Sequence, residues 1–83
     1  MNYRVKISRT AEKHMRHIDE ATRRRIRTRI NALRGDPYNG ASKLASMPGF
    51  RQRVGDYRIV YEIDTREQLV HVTGIFHRRE AYR

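Results

Sequence analysis

Apolar and polar residues alternate in the first few residues of the chain and again through its last third. Residues 3–7 place apolar side chains at every second position with cations between them, which predicts a half-buried strand. Three further runs rich in β-forming residues follow late in the chain, and short turn-forming segments separate them. These runs are residues 50–54, 57–63 and 69–76. Three strands joined by short turns predict an antiparallel meander.

The stretch between the first strand and the meander shows helical spacing. Over residues 9–34, apolar positions recur at intervals of three and four, as they do on one face of a helix. These positions are Ala11, Met15, Ile18, Ile26, Ile30 and Leu33. Gly35 and Pro37 then end the helical pattern. The spacing therefore predicts a helical hairpin over this stretch.

The segment 36–47 contains several turn-forming residues and predicts a loop, from which Leu44 and Met47 are expected to plug the core. The element order is therefore β-αα-βββ. This order favours an α+β fold in which the helical hairpin packs on one face of a small antiparallel sheet. Residues 1–83 are expected to form a single domain, with the other face of the sheet open to a ligand.

The charge of the chain suggests what that ligand is. The sequence has 19 Lys and Arg residues against 9 Asp and Glu residues, a formal net charge of +10. Such an excess repels itself unless a polyanion or an acidic partner meets it. A hydrophobic content of 37% is nevertheless too high for a disordered basic tail. We therefore expect a folded protein that binds an anionic partner.

Residue types that are missing exclude several classes of protein. The absence of cysteine excludes disulfide bonds, thiolate zinc sites and a cysteine nucleophile. No apolar stretch approaches the length of a membrane span, and the first residues lack the apolar core of a signal peptide. We therefore expect a cytoplasmic protein with no membrane partner.

Residues 23–29, in the second predicted helix, are mostly arginine. Long basic side chains beside an apolar stripe commonly solvate the helix and cover apolar surface. We therefore favour solvation of this helix, or nonspecific contact with phosphates, over a specific nucleic-acid site.

Titratable residues elsewhere are weak candidates for a site. His14 and His17 lie three positions apart on a helix, but no third ligand of suitable type is placed near them. Glu62 and Asp64 share one side of a strand beside a turn, where acidic residues are ordinary. His71 lies in mid-strand, which favours packing or cross-strand hydrogen bonding. The sequence therefore predicts no metal site and no cofactor.

The cations of the meander form a more informative set. Arg51 and Arg53 lie two positions apart on a strand and so emerge on the same side. The meander is expected to bring together Arg51, Arg53, Arg58, His77, Arg78 and Tyr82. The residues alone leave two interpretations open, namely solvated cations on an exposed sheet or a phosphate-binding face. The second is what RNA binding requires, because arginine neutralises phosphates while aromatic rings stack on bases.

Three segments of the chain resemble a known group of proteins. They are KLASMPGFRQR at residues 43–53, RVGDYRIVYEID at residues 53–64 and HRREAYR at residues 77–83. Together they resemble the RelE/ParE toxin superfamily, and the β-αα-βββ order also fits, so the resemblance covers essentially the whole chain. It implies the toxin of a type II toxin–antitoxin pair, which binds an acidic, RelB-like antitoxin in a hetero-oligomer.

Members that resemble RelE cleave mRNA in the ribosomal A site, whereas ParE-like members share the fold but poison DNA gyrase and lack the RNase residues. The RelE pattern places its strand cations on Arg51 and Arg53 and the arginine of its turn on Arg58. It places the arginine after the last strand on Arg78 and the terminal tyrosine on Tyr82. This chain departs from that pattern in two ways. The best-studied pattern has lysines at the first two positions and a longer segment between the last two.

The resemblance implies metal-free RNA cleavage, in which the ribose 2′-OH attacks its own phosphate. Arginine stays protonated, so the four arginines are expected to clamp the phosphate, while Tyr82 and His77 are the titratable candidates. The leading hypothesis is a ribosome-dependent endoribonuclease. The alternatives are a ParE-like gyrase inhibitor without RNase activity and a non-catalytic basic RNA-binding module. Gln52 occupies an inward position where an apolar residue is expected, which predicts looser packing there.

Overall fold

The computed structural model describes residues 2–79. Its helices and strands follow the predicted order, with one short strand added in the loop. In chain order they are β1 (Arg4–Ile7), α1 (Arg9–Arg16), α2 (Glu20–Ala32), β2 (Ser42–Lys43), β3 (Phe50–Val54), β4 (Tyr57–Asp64) and β5 (Leu69–His77). The predicted α+β fold with a helical hairpin is therefore confirmed.

The five strands form one sheet in the order β1-β5-β4-β3-β2. The meander β3-β4-β5 is antiparallel, as predicted. However, β1 pairs with β5 in parallel, so the sheet is mixed rather than wholly antiparallel. Parallel neighbours need a long crossover connection, and here the whole intervening chain supplies it. No helix among residues 2–79 has the length and apolar character that crossing a membrane requires.

Both helices begin at a capping side chain. Ser8 Oγ accepts a hydrogen bond from Ala11 N at 3.0 Å and donates one to Thr73 O at 3.2 Å, so the start of α1 is tied to β5. At the start of α2, Thr22 N donates to the Asp19 carboxylate at 3.0 Å. This hydrogen bond lowers the pKa of Asp19, because it favours the ionised carboxylate. The caps define where the hairpin begins and turns.

The helices cover one face of the sheet, here called the covered face. The apolar positions of the predicted helical stripe are all buried there, and they pack against buried side chains of β3, β4 and β5 such as Ile59 and Val72. The prediction that Met47 plugs this core is wrong, because Met47 is 61% exposed. Leu44 is half-buried and lies against Gly49. The core is therefore formed by the helical stripe and the sheet, without the tip of the loop.

Gln52 is buried on the covered face, at 4% exposure, and its side-chain NH2 group donates two hydrogen bonds. Its Nε2 donates to Asn39 O at 2.9 Å and to the hydroxyl of Tyr61 at 3.1 Å. The Tyr61 hydroxyl in turn donates to Pro37 O at 2.7 Å. The expectation of looser packing at Gln52 is therefore wrong, because these bonds tie the loop after α2 to the sheet.

A bulge interrupts the alternation of β5. Val60 pairs with Gly74 and Tyr61 pairs with Val72, so Thr73 is an extra residue between them. An extra residue shifts every later side chain to the other face of the strand. Ile75 is accordingly buried in the core, three positions after Val72 rather than two or four.

Candidate functional site

Three arginines lie together on the uncovered side of the sheet, here called the open face. On β3, the buried residues Gln52 and Val54 alternate with Arg51 and Arg53, which therefore point to the open face. Arg58 of β4 is the direct partner of Arg53 in the strand pairing. Like charges that face each other across two strands are destabilising. The pairing therefore concentrates positive charge at one place on the open face.

The turn between β3 and β4 brings a fourth arginine to this group. Gly55 has a φ of 59°, a conformation that glycine adopts without strain, and its carbonyl accepts a hydrogen bond from Arg53 Nε at 2.9 Å. At the same turn, Arg78 N donates to Asp56 O at 2.7 Å. This bond holds the end of β5 against the turn, so the exposed Arg78 begins at the turn that joins the strands of Arg53 and Arg58.

The structure does not bring His77 to the open face. Because the bulge at Thr73 reverses the alternation, His77 lies on the covered face with its strand partner Tyr57. The two rings make an edge-to-face contact at 5.3 Å between centroids. His77 Nδ1 also accepts a hydrogen bond from Arg79 N at 3.3 Å. An unbroken alternation from Val72 would have placed His77 beside the arginines, which is why the sequence pattern was misleading.

Tyr82, the other titratable candidate, lies outside the described residues. The arginines that the structure does describe stay protonated at working pH. They can bind a phosphate and stabilise negative charge that develops on it, but they cannot accept a proton.

Phe76 is a member of this face that the sequence pattern did not single out. It is the strand partner of Arg58 and is half-buried on the open face. Its ring lies over Gly74, where a Cβ would approach Phe76 Cε2 to 2.5 Å, and contacts the His14 ring at 4.9 Å. A side chain at position 74 would therefore have to displace the ring. The Gly-x-Phe spacing was the feature of the sequence that could have indicated this ring. The face on which Phe76 lies depends on the bulge at Thr73.

The weaker candidates have structural roles. His14 Nδ1 accepts a hydrogen bond from Ile75 N at 3.1 Å, so His14 joins α1 to β5 beyond the end of β1. Glu62 and His71 are strand partners at the far end of the meander. Within residues 2–79, no three His, Cys, Asp or Glu side chains converge in a way that could hold a metal ion.

Comparison with known proteins shows the same architecture. The chain resembles the toxin–antitoxin complex RelBE2 from Mycobacterium tuberculosis with a TM-score of 0.86 and 21% identity, over 93% of this chain and 99% of that one. It also resembles the archaeal RelE–RelB complex from Pyrococcus horikoshii, with a TM-score of 0.81 and 26% identity, over 94% and 97% of the chains. The intact RelBE toxin–antitoxin complex of Escherichia coli matches with a TM-score of 0.77 and 23% identity, over 90% and 95%.

No curated protein sequence matches this chain significantly. A family model does match: that of the ParE toxin of type II toxin–antitoxin systems, parDE, over residues 5–82. The match spans nearly the whole chain, and the solved toxin–antitoxin structures share its fold. The chain therefore belongs to the ParE toxin family within the RelE/ParE superfamily, and it is the toxin of a type II toxin–antitoxin system.

Proposed function

We propose that this toxin is a RelE-like endoribonuclease that cleaves mRNA in the ribosomal A site and thereby inhibits translation. The observation that carries the proposal is the group of arginines on the open face. Arg51, Arg53 and Arg58 emerge on one side of two paired strands, and Arg78 starts at the adjoining turn. A cluster of guanidinium groups matches the geometry and charge of a phosphate that becomes more negative in the transition state.

The proposed reaction needs no group outside the RNA and the protein. The ribose O2′ forms a bond to the adjacent phosphorus while the bond from phosphorus to O5′ of the next nucleotide breaks. A base takes the proton from the 2′-OH, and an acid supplies a proton to the leaving O5′. The products are a 2′,3′-cyclic phosphate and a 5′-OH. The arginines bind the phosphate and stabilise the charge on its oxygens, and Phe76 beside Arg58 offers a ring on which a base can stack.

The proton transfers are assigned to Tyr82. Of the two titratable candidates, His77 faces the helices and accepts a hydrogen bond from Arg79 N, so it is removed from the proposal. A tyrosine phenol is a modest base, and a site with one such group gains most of its rate from correct orientation of the substrate. The ribosome supplies that orientation, which explains why the proposed cleavage depends on it.

The second candidate function is inhibition of DNA gyrase, and the family match favours it, because that model describes ParE toxins. In that case the arginines would serve binding and no RNA would be cut. The two functions differ in their product, so one experiment separates them. The purified toxin is added to a translating extract and the 5′ ends of a reporter mRNA are mapped, while gyrase supercoiling of a plasmid is followed in parallel.

Cuts within codons of translated mRNA, absent when translation initiation is blocked, support the endoribonuclease. Loss of supercoiling with intact mRNA would instead establish the gyrase inhibitor. If neither mRNA nor supercoiling changes, the remaining interpretation is a non-catalytic RNA-binding module. Binding to isolated ribosomes tests that interpretation directly.

We also propose that the partner of this toxin is an acidic, RelB-like antitoxin that forms a hetero-oligomer with it. Two observations support this partner: the net charge of +10, and the solved RelE–RelB and RelBE complexes that the fold resembles. Co-expression with the adjacent reading frame should give a complex that survives moderate salt, since apolar contacts are screened little by ions. Dissociation at modest ionic strength would show a purely electrostatic contact and contradict the proposal.

A further inference from the structure

Four of the five arginines of α2 divide into two groups that the sequence does not distinguish. Successive helical residues are rotated by about 100°, so residues on either side of the buried stripe point in different directions. Arg24 pairs with Glu20 at 3.2 Å, and Arg27 approaches Glu12 of α1 at 3.9 Å. Arg25 and Arg29 flank the buried Ile26 and Ile30 on the side of β3. Neither has an ion-pair partner among the residues that the structure describes.

Arg25 and Arg29 line a depression between α2 and the β3–β4 turn, here called the basic groove. It has a volume of about 390 Å³, and Arg53 lines its opposite wall. Arg25 approaches the turn closely, since a Cβ added at Gly55 would lie 3.5 Å from its Nη1. None of the described residues that line the groove carries a carboxylate. Three guanidinium groups from two elements therefore share one concave surface.

The basic groove is continuous with the open face through Arg53. The edge strand β2 pairs only with Phe50 and Arg51, so the rest of β3 forms the edge of the sheet. Arg53, on this exposed edge, belongs both to the open-face cluster and to the wall of the groove. Like charges one helical turn apart destabilise a helix. Arg25 and Arg29 therefore lower the stability of α2, and solvation of the helix does not require this arrangement.

We infer that the basic groove binds a backbone phosphate of the RNA whose neighbouring phosphate lies on the open face. The inference rests on the proposed function for the identity of the polymer, and it adds a second phosphate contact outside the cleavage site. The described lining of the groove offers charge but no aromatic ring on which a base could stack, so the contact is assigned to the RNA backbone, which carries no sequence information. The polymer follows the edge of the sheet from the open face to α2.

The test compares two double variants that remove the same charge from the same helix. The groove variant, Arg25→Gln with Arg29→Gln, removes both α2 arginines that line the groove. The control variant, Arg24→Gln with Arg27→Gln, removes the two arginines paired with glutamates. Glutamine and arginine have similar helix propensities, and thermal unfolding checks that both variants fold. Binding to a fluorescent single-stranded RNA is measured at several salt concentrations with toxin that has been freed of antitoxin.

The groove variant is expected to bind about tenfold more weakly, as when one charge-assisted hydrogen bond is lost. Its slope of log K against log salt concentration should fall by about 0.7, the value for one phosphate of a single strand. The control variant should keep a slope within about 0.2 of wild type, because no phosphate contact is lost. Equal slopes in wild type and groove variant, or an equal loss in both variants, would overturn the inference.

The groove and the nuclease can fail separately. A wild-type toxin that shows the groove-dependent slope but never cuts mRNA would remove the proposed activity and keep the groove. If the wild-type toxin cuts mRNA while both variants bind RNA like wild type, the proposed activity is kept and the groove is removed. A groove effect seen with duplex DNA but absent with RNA would overturn the assignment to RNA.

Discussion

Gln52 and Arg53 are consecutive residues of β3, yet they meet opposite environments. Gln52 lies on the covered face, where both of its amide hydrogens are used by Asn39 and Tyr61. Arg53 lies on the open face, opposite another cation, Arg58. Buried polar groups are costly unless they are hydrogen-bonded, and the covered face meets that requirement. The open face instead places two cations opposite each other, a concentration of positive charge that suits an anionic ligand.

This difference separates what holds the toxin together from what it does. The covered face contains the apolar core and one satisfied polar network, so substitutions there should lower stability. The cations of the open face lie outside the apolar core, so substitutions there should lower activity more than stability.

Ile26→Ala should give the largest effect, and on stability alone. Ile26 is fully buried where α2 meets the sheet, so its truncation leaves a cavity and should lower the free energy of unfolding by about 2–5 kcal/mol. Urea denaturation of wild type and variant measures the change. Ala21→Gly on the exposed side of α2 is the control, since it should cost only about 1 kcal/mol. An equal loss in both would show that α2 is poorly packed.

Arg58→Ala should reduce the single-turnover rate of mRNA cleavage on programmed ribosomes by about 10²–10³-fold, because one donor to the transition state is removed. Its unfolding transition should stay close to that of wild type. Arg66→Ala, in the turn after β4, removes the same charge far from the arginine cluster and should cleave normally. If Arg58→Ala still cleaves and arrests growth at normal expression, Arg58 is not part of the site.

Tyr61→Phe should lower the free energy of unfolding by about 1–3 kcal/mol. The substitution keeps the ring but removes the hydroxyl that donates to Pro37 O and accepts from Gln52. The buried groups then lose a partner, while the open face is untouched. Cleavage by the folded variant should therefore match wild type, and a large loss of activity would show that the two faces are coupled.

Alkaline pH should remove the contribution of the Tyr61 hydroxyl to the free energy of unfolding. Burial raises the pKa of Tyr61 above its usual value near 10, because the charged phenolate is disfavoured in the core. The neutral phenol therefore stabilises the fold fully below pH 10, and this contribution is lost as the pH rises through the higher folded pKa. The stability difference between wild type and Tyr61→Phe should shrink above pH 10. A difference that stays constant or grows would contradict this assignment.

His77→Ala should have the smallest effect on cleavage, less than about threefold, because its ring faces Tyr57 and the helices. Tyr82→Phe is the matched comparison and should lose roughly 10²-fold if the phenol is the base. Single-turnover cleavage measures both. A large loss in His77→Ala together with normal cleavage by Tyr82→Phe would return the histidine to the site.

Local pattern was sufficient for most of the elements. Apolar spacing in the helices and strict alternation in β1, β3 and β4 identified the secondary structure, because each element must bury one face. The same alternation placed Arg51 and Arg53 on one side of β3. The three motifs also identified the superfamily, which the family match and the solved toxins confirm.

Only the tertiary structure decided which residues meet. The parallel pairing of β1 with β5 brings together segments more than sixty residues apart, as the hydrogen bond from Ser8 Oγ to Thr73 O shows. The bulge at Thr73 reverses the face of His77 because one extra residue changes the phase of a strand. Arg25 differs from Arg24 only through the neighbours that packing gives each of them. Such differences depend on contacts between distant elements, and periodicity within a single element contains no information about them.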